Sequence, residues 1–127
     1  MTKKYFEVIE AHSMNLNDVK EIILNRSDIN IQDRNGMTPL MVAIDNFDIN
    51  STKYLIEHKA KLNTQDKYGQ TAVMLAAGRN FVPAISLLIN AKANLNLVSM
   101  SGLTALGFAQ ENNNKESAEL LKKHGAR

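Results

Sequence analysis

His12, His58 and His124 are the only imidazoles in this chain of 127 residues, and cysteine is absent. Without thiols there are no disulfides, no thiolate metal sites and no cysteine nucleophile. His58 and His124 each close a stretch of helical pattern, a position where the helix dipole favours histidine; they are too far apart in the chain's layout to share a metal ion. Asp45 and Asp48 are a close pair of carboxylates, but they fall on a predicted turn and are expected to be solvated loop acids. Ala77-Gly78-Arg79 reads as a helix end, because the spacing of a phosphate-cradling loop is missing. No serine, histidine and acid converge on one location. The methionines are expected to fill core gaps or to offer contact surface. These residues predict no catalytic group, no metal and no cofactor, so the chain is expected not to be an enzyme.

The elements that carry these residues recur at a fixed interval. Gly36, Gly69 and Gly102 are spaced by 33 residues, and so are Thr38, Thr71 and Thr104, Ala43, Ala76 and Ala109, and Leu55, Leu88 and Leu121. Asn30, Asn63 and Asn96 keep the same interval, each preceded by Ile29, Leu62 or Leu95. Within one period Asp33-Arg34-Asn35-Gly36 is a turn signal, with glycine free to take positive φ. Thr38-Pro39 then starts a helix, since threonine can cap it and proline suits the first helical position. Leu40, Val42, Ala43 and Ile44 make a short first helix, Phe47 to Asn50 a turn, and Ser51 to His58 a second helix. Ala60-Lys61-Leu62-Asn63 leads to the next turn. A repeat of this length marks a solenoid, in which each unit buries its faces only against its neighbours.

The motifs Gly36-Met37-Thr38-Pro39-Leu40-Met41-Val42-Ala43, Gly69-Gln70-Thr71-Ala72-Val73-Met74-Leu75-Ala76-Ala77 and Gly102-Leu103-Thr104-Ala105-Leu106 resemble the ankyrin repeat. The trailing Ala60-Lys61-Leu62-Asn63 and Ala93-Asn94-Leu95-Asn96 are similar to that family's Gly-Ala-Asp-Val-Asn segment. The resemblance covers residues 33–127 directly and 1–32 weakly, through Asp28-Ile29-Asn30. It implies an all-α solenoid of helix-turn-helix units with short β-turn or hairpin tips. One domain, 1–127, is expected, with units at about 1–32, 33–65, 66–98 and 99–127. Three columns depart from the family. Its histidine is replaced by Met41, Met74 and Gly107, so that methionine packing must substitute for imidazole hydrogen bonds. Its glycine between the helices becomes Phe47, Asn80 and Asn113. Its glycine after the second helix becomes Lys59 and Lys92, returning at Gly125, so a left-handed backbone is expected at both lysines. The first unit carries Glu7, Glu10 and Glu21 where later units are apolar. The last carries Gln110 and Lys122 where earlier units have Ile44 and Ala77, or Ile23, Ile56 and Ile89. These polar ends are expected to be caps of a complete, monomeric array.

In the family the partner docks on the concave face, formed by the turn tips and the exposed side of the first helices. The resemblance carries that face onto Arg34, Asn35, Met37, Asp45 and Asn46, then Lys67, Tyr68, Gln70, Gly78 and Arg79, then Met100, Ser101, Leu103, Glu111 and Asn112, with His12 and Ser13 from the first unit. Met37, Tyr68, Met100 and Leu103 are apolar residues on turns that would otherwise be polar. Tyr68, Arg34 and Arg79 are of the types enriched at binding hot spots.

Composition agrees with a folded domain and excludes several classes. Apolar residues make up 44% and charged residues 22%, which is ordinary for a globular chain. Fifteen basic against thirteen acidic side chains give a net charge of +2, too small to indicate nucleic-acid or membrane binding. Residues 66–98 hold three basic groups (Lys67, Arg79, Lys92) and one acid (Asp66), so an acidic patch on the partner is expected there. Glu7 and Glu10 interrupt any signal-peptide core behind Lys3-Lys4, and the apolar run through Val73 to Ala77 is far shorter than a membrane span of roughly 20 residues. A cytoplasmic location is expected, or secretion into a host cell. Asparagine, lysine and isoleucine usage fits an AT-rich bacterial source. The expected function is protein binding: an immunity or antitoxin-like inhibitor, alternatively a secreted effector or an accessory subunit of an enzyme.

Overall fold

The computed structural model describes residues 13–25 and 28–127. Threonine sets the start of the three first helices among the described residues. Thr38, Thr71 and Thr104 stay extended, and their hydroxyls accept from the backbone N–H of Met41 (3.3 Å), Met74 (3.4 Å) and Gly107 (3.2 Å). Behind these caps run α2 (Pro39–Asp45), α4 (Ala72–Gly78) and α6 (Ala105–Glu111). The second helices are α1 (Leu16–Leu24), α3 (Ile49–Glu57), α5 (Val82–Asn90) and α7 (Lys115–Lys123). The described residues contain no strand.

Helix α3 begins two residues before the sequence-based start at Ser51. The cause is Asp48, whose carboxylate accepts from both the backbone N–H and the hydroxyl of Ser51. A carboxylate there satisfies an otherwise orphaned donor and opposes the positive end of the helix dipole. Asp48 is therefore a helix cap, not a solvated loop acid.

Besides the glycines at the turn tips, two left-handed residues in each of the three later units reverse the chain after its helices. Between the helices, Phe47, Asn80 and Asn113 each have φ of 56°. After the second helix, Lys59 and Lys92 have φ of 67° and 70°, in the column where Gly125 has 90°. Phe47 is the least natural occupant of this region, and its ring lies 5.1 Å from that of Phe81 at an interplanar angle of 55°.

The helices form two layers. Helices α2, α4 and α6 pack side by side in one, and α1, α3, α5 and α7 in the other, with each first helix packed on its own second helix. Leu55, Leu88 and Leu121 are fully buried in the second-helix layer, while Ala43, Ala76 and Ala109 are fully buried in the first. Alanine in that column lets neighbouring helices approach closely, and leucine fills the space between layers. Met41 and Met74 are buried as well, and the Met74 sulfur accepts from the N–H of Thr71 at 3.4 Å, so this side chain packs and takes a weak hydrogen bond together.

Neighbouring units are tied by repeated polar contacts. The side-chain oxygens of Asn30, Asn63 and Asn96 accept from the backbone N–H of Lys61 (2.8 Å), Asn94 (2.9 Å) and Arg127 (2.9 Å). At the turn tips Lys67 N–H donates to the Asn35 carbonyl and Met100 N–H to the Tyr68 carbonyl, both at 2.9 Å. Glycine is required beside these bonds. A Cβ on Gly36 would stand 3.0 Å from the backbone of Asp66 and Lys67, and one on Gly69 would stand 2.9 Å from Met100 N. At the ends of the stack Glu21, Gln110 and Lys122 are exposed, as their columns predict. Glu7 and Glu10 lie outside the described residues.

Candidate partner-binding surface

The turn tips are shaped by a column that sequence inspection overlooks: Asp33, Asp66 and Ser99. Asp33 Oδ1 accepts from the N–H of Asn35 (2.8 Å) and Met37 (2.9 Å). Asp66 Oδ1 accepts from Tyr68 and Gln70, both at 2.9 Å. Ser99 Oγ accepts from Leu103 at 3.3 Å and bonds the hydroxyl of Ser101 at 2.7 Å. Each tip is closed by a backbone bond across the turn, from Asp33 to Met37, Asp66 to Gln70 and Ser99 to Leu103, at 2.9 Å each. The signal was present in the sequence, because these positions share the 33-residue interval. Asp33 is itself buried, and its Oδ2 has no hydrogen-bond partner.

On this frame the candidate residues separate by exposure. Met100 (79% exposed) and Tyr68 (56%) stand out at adjacent tips. The Lys67 ammonium lies 5.0 Å over the Tyr68 ring, within cation–π range. Arg34 and Glu111 are exposed, Asn35 and Gln70 are half-buried, and Ser13 is exposed. Two expectations of exposed apolar residues are corrected. Met37 is only 8% exposed, because its apolar side chain packs into the core, although its backbone makes the same bond to the tip carboxylate as that of half-buried Gln70. Leu103 is half-buried, with its side chain against Gly107. His12 lies outside the described residues.

Asp45 is also not a solvated loop acid. Its Oδ1 lies 2.6 Å from Nη2 of Arg79, so two candidate residues on neighbouring helices α2 and α4 form an ion pair. The Arg79 side chain is 47% exposed and that of Asp45 17%. A pair this open to water contributes about 1 kcal/mol or less to stability, and its main effect is to fix the guanidinium in place. A cleft of about 250 Å³ runs along this pair, lined by Asn35, Met37, Asp45, Asp66, Tyr68, Gln70, Leu75 and Arg79. It gathers six candidate residues from two consecutive units, while Met100, Leu103 and Glu111 belong to the next unit along.

His58 and His124 sit at the C-caps of α3 and α7, as their columns predict. Each ring Nδ1 faces the carbonyl four residues back, Tyr54 at 2.9 Å and Leu120 at 3.0 Å. His58 also stacks on Tyr54, with ring centroids 4.3 Å apart. A second groove, about 260 Å³, opens on the outer side of α6 and α7 between Gln110, Asn113, Lys115, Glu119 and Lys122. Its rim is charged and amide-rich, and Ala109 and Ala118 also line it. Among the described residues no helix is long and apolar enough to cross a membrane, and no group of three or more His, Asp or Glu side chains is placed to hold a metal ion.

No curated protein sequence matches the chain. A family model does, and it is one of protein-interaction repeats. The model for three consecutive ankyrin repeats matches residues 8–98 and again 48–127, in agreement with the capped helix pairs and stacked turns, and the chain belongs to the ankyrin-repeat family.

Proposed function

We infer that this protein is a non-catalytic binding module that occupies a partner protein through its concave face. The observation that carries this reading is the cleft between the second and third units, with Tyr68 exposed at its rim and Met100 beside it. An exposed aromatic side chain on a rigid turn loses little entropy on binding, while a flexible thioether beside it adapts to the surface it meets. Lys67 and Arg79 give the same stretch a positive bias, which favours a partner with an acidic patch and speeds encounter more than it adds affinity. The whole chain acts as one array, monomeric when free. An immunity or antitoxin-like inhibitor of a bacterial toxin is the biological role that suits a non-catalytic binding array. A secreted effector that binds a host protein would use the same face.

The test is affinity capture with the intact chain, followed by titration of variants against the recovered protein. Tyr68→Ala combined with Arg79→Ala is expected to weaken binding by more than about 2 kcal/mol with the fold unchanged by circular dichroism. Loss of binding on substitution of Lys53, Glu57 and Ser86 instead would place the site on the opposite face and refute the reading.

A further inference from the structure

Asn35-Gly36 is the sole Asn-Gly pair in the chain. Chemically it is the most vulnerable asparagine sequence, because glycine leaves the following backbone nitrogen unshielded. We propose that Asn35 is a covalent modification site, the position at which this protein deamidates, and that the joint between the second and third units gates the reaction.

In the reaction the Gly36 nitrogen attacks Cγ of Asn35 and a C–N bond forms. The side-chain nitrogen departs as ammonia with the proton that Gly36 N carried, leaving a five-membered succinimide. Water then opens the ring at either carbonyl. Cleavage of the Cγ–N bond yields aspartate; cleavage at the former main-chain carbonyl yields isoaspartate, with the chain rerouted through Cγ. No oxidant or enzyme is required.

The stacked fold opposes each stage. The attacking Gly36 N–H donates to the Asp33 carbonyl at 2.9 Å, Asn35 N–H is held by Asp33 Oδ1 at 2.8 Å, and the Asn35 carbonyl accepts from Lys67 at 2.9 Å. The space beside Gly36 is filled by the backbone of Asp66 and Lys67, where even a methyl group would stand 3.0 Å away. Ring closure requires the Asn35-Gly36 peptide to rotate out of this arrangement, so the reaction proceeds from a locally opened state. Other asparagines lack the glycine. Asn50-Ser51, with the next least shielded nitrogen, is held in the first turn of α3.

The product alters the surface. Aspartate at position 35 adds a carboxylate to a cleft that already contains Asp45 and Asp66, and opposes the positive bias from Lys67 and Arg79. Isoaspartate adds a methylene to the main chain and moves the carbonyl that holds Lys67.

The experiment incubates the purified full-length chain at mildly alkaline pH, folded and in urea, and follows deamidation by peptide mass spectrometry and isoaspartate by enzymatic methylation. Asn35 is expected to react first in both conditions, and about tenfold or more slowly when folded. Asp33→Ala, which removes the acceptor for Asn35 N–H, is expected to react at an intermediate rate under folding conditions. Equal rates in the folded and unfolded chain would overturn the gating, and earlier reaction at another asparagine would overturn the site. If Asp33→Ala does not fold, the comparison of folded and unfolded wild type still decides both.

Discussion

Lys59 and Lys92 hold a backbone conformation that suits glycine. Their φ values of 67° and 70° bring Cβ close to the following carbonyl, at a cost of about 1–2 kcal/mol per residue. The chain accepts this cost because the left-handed turn lets Ala60 and Ala93 return their N–H groups to the Leu55 and Leu88 carbonyls, both at 3.0 Å. Those bonds satisfy the exposed ends of α3 and α5. Lys59→Gly and Lys92→Gly are therefore each expected to raise unfolding free energy by about 1 kcal/mol, measured by urea titration; part of the relieved strain is offset by the greater freedom of glycine in the unfolded chain. Gly69→Ala and Gly102→Ala give a second comparison. Both positions have positive φ, at 75° and 83°, but a new Cβ meets Met100 N at 2.9 Å in the first case and nothing within 4 Å in the second. Gly69→Ala is expected to destabilise clearly more, and the difference measures how tightly one turn rests on the next. Equal losses would mean that strain in φ alone keeps these glycines.

At the level of the element, capping and packing divide the stabilisation. Thr71→Ala removes the hydroxyl that accepts from Met74 N–H inside the stack, and is expected to cost about 1–2 kcal/mol. Leu88→Ala empties a fully buried site in α5 and is expected to cost roughly 2–5 kcal/mol; both losses are read from chemical denaturation midpoints. The first helices were legible because Thr-Pro and Thr-Ala pairs mark their starts and the alanine column repeats without a shift. The left-handed turns were legible because a missing glycine does not change what the chain must do there. The start of α3 was not, since Asp48 resembles a loop acid until its distance to Ser51 is known. The candidate surface was legible only as columns. The family resemblance, carried over column by column, placed Asn35, Asp45, Tyr68, Gln70 and Arg79 on one side, but the Asp45–Arg79 ion pair joins two units, and periodicity within a unit does not show which long side chains meet across a joint. Met37 misled because its neighbours in the same column, Gln70 and Leu103, are more exposed, and the packing of its thioether into the core is a contact, not a pattern.

On the scale of the whole molecule, stability accumulates from one joint to the next. The helix packing runs between consecutive units, and two kinds of bond recur at the joints: an asparagine side chain to a backbone N–H 31 residues on at three of them, and a tip carbonyl to the following tip at two. Exposed Glu21, Gln110 and Lys122 at the ends disfavour stacking of one molecule on another, so multi-angle light scattering is expected to return the mass of a single chain. A dimer joined through α6 and α7 would contradict that expectation. The regularity of the joints also bears on heredity. The bond between tips is main chain to main chain, so apart from the glycine beside it, which each copy of the period carries, it does not depend on which side chains the two tips present. An in-frame duplication of one full period in the coding sequence would therefore place each new tip over an existing one with its bonds already specified, wherever in the period the copy began. Lengthening such a gene is a single mutational step that the protein can absorb, and the side chains at the added tip are then free to drift.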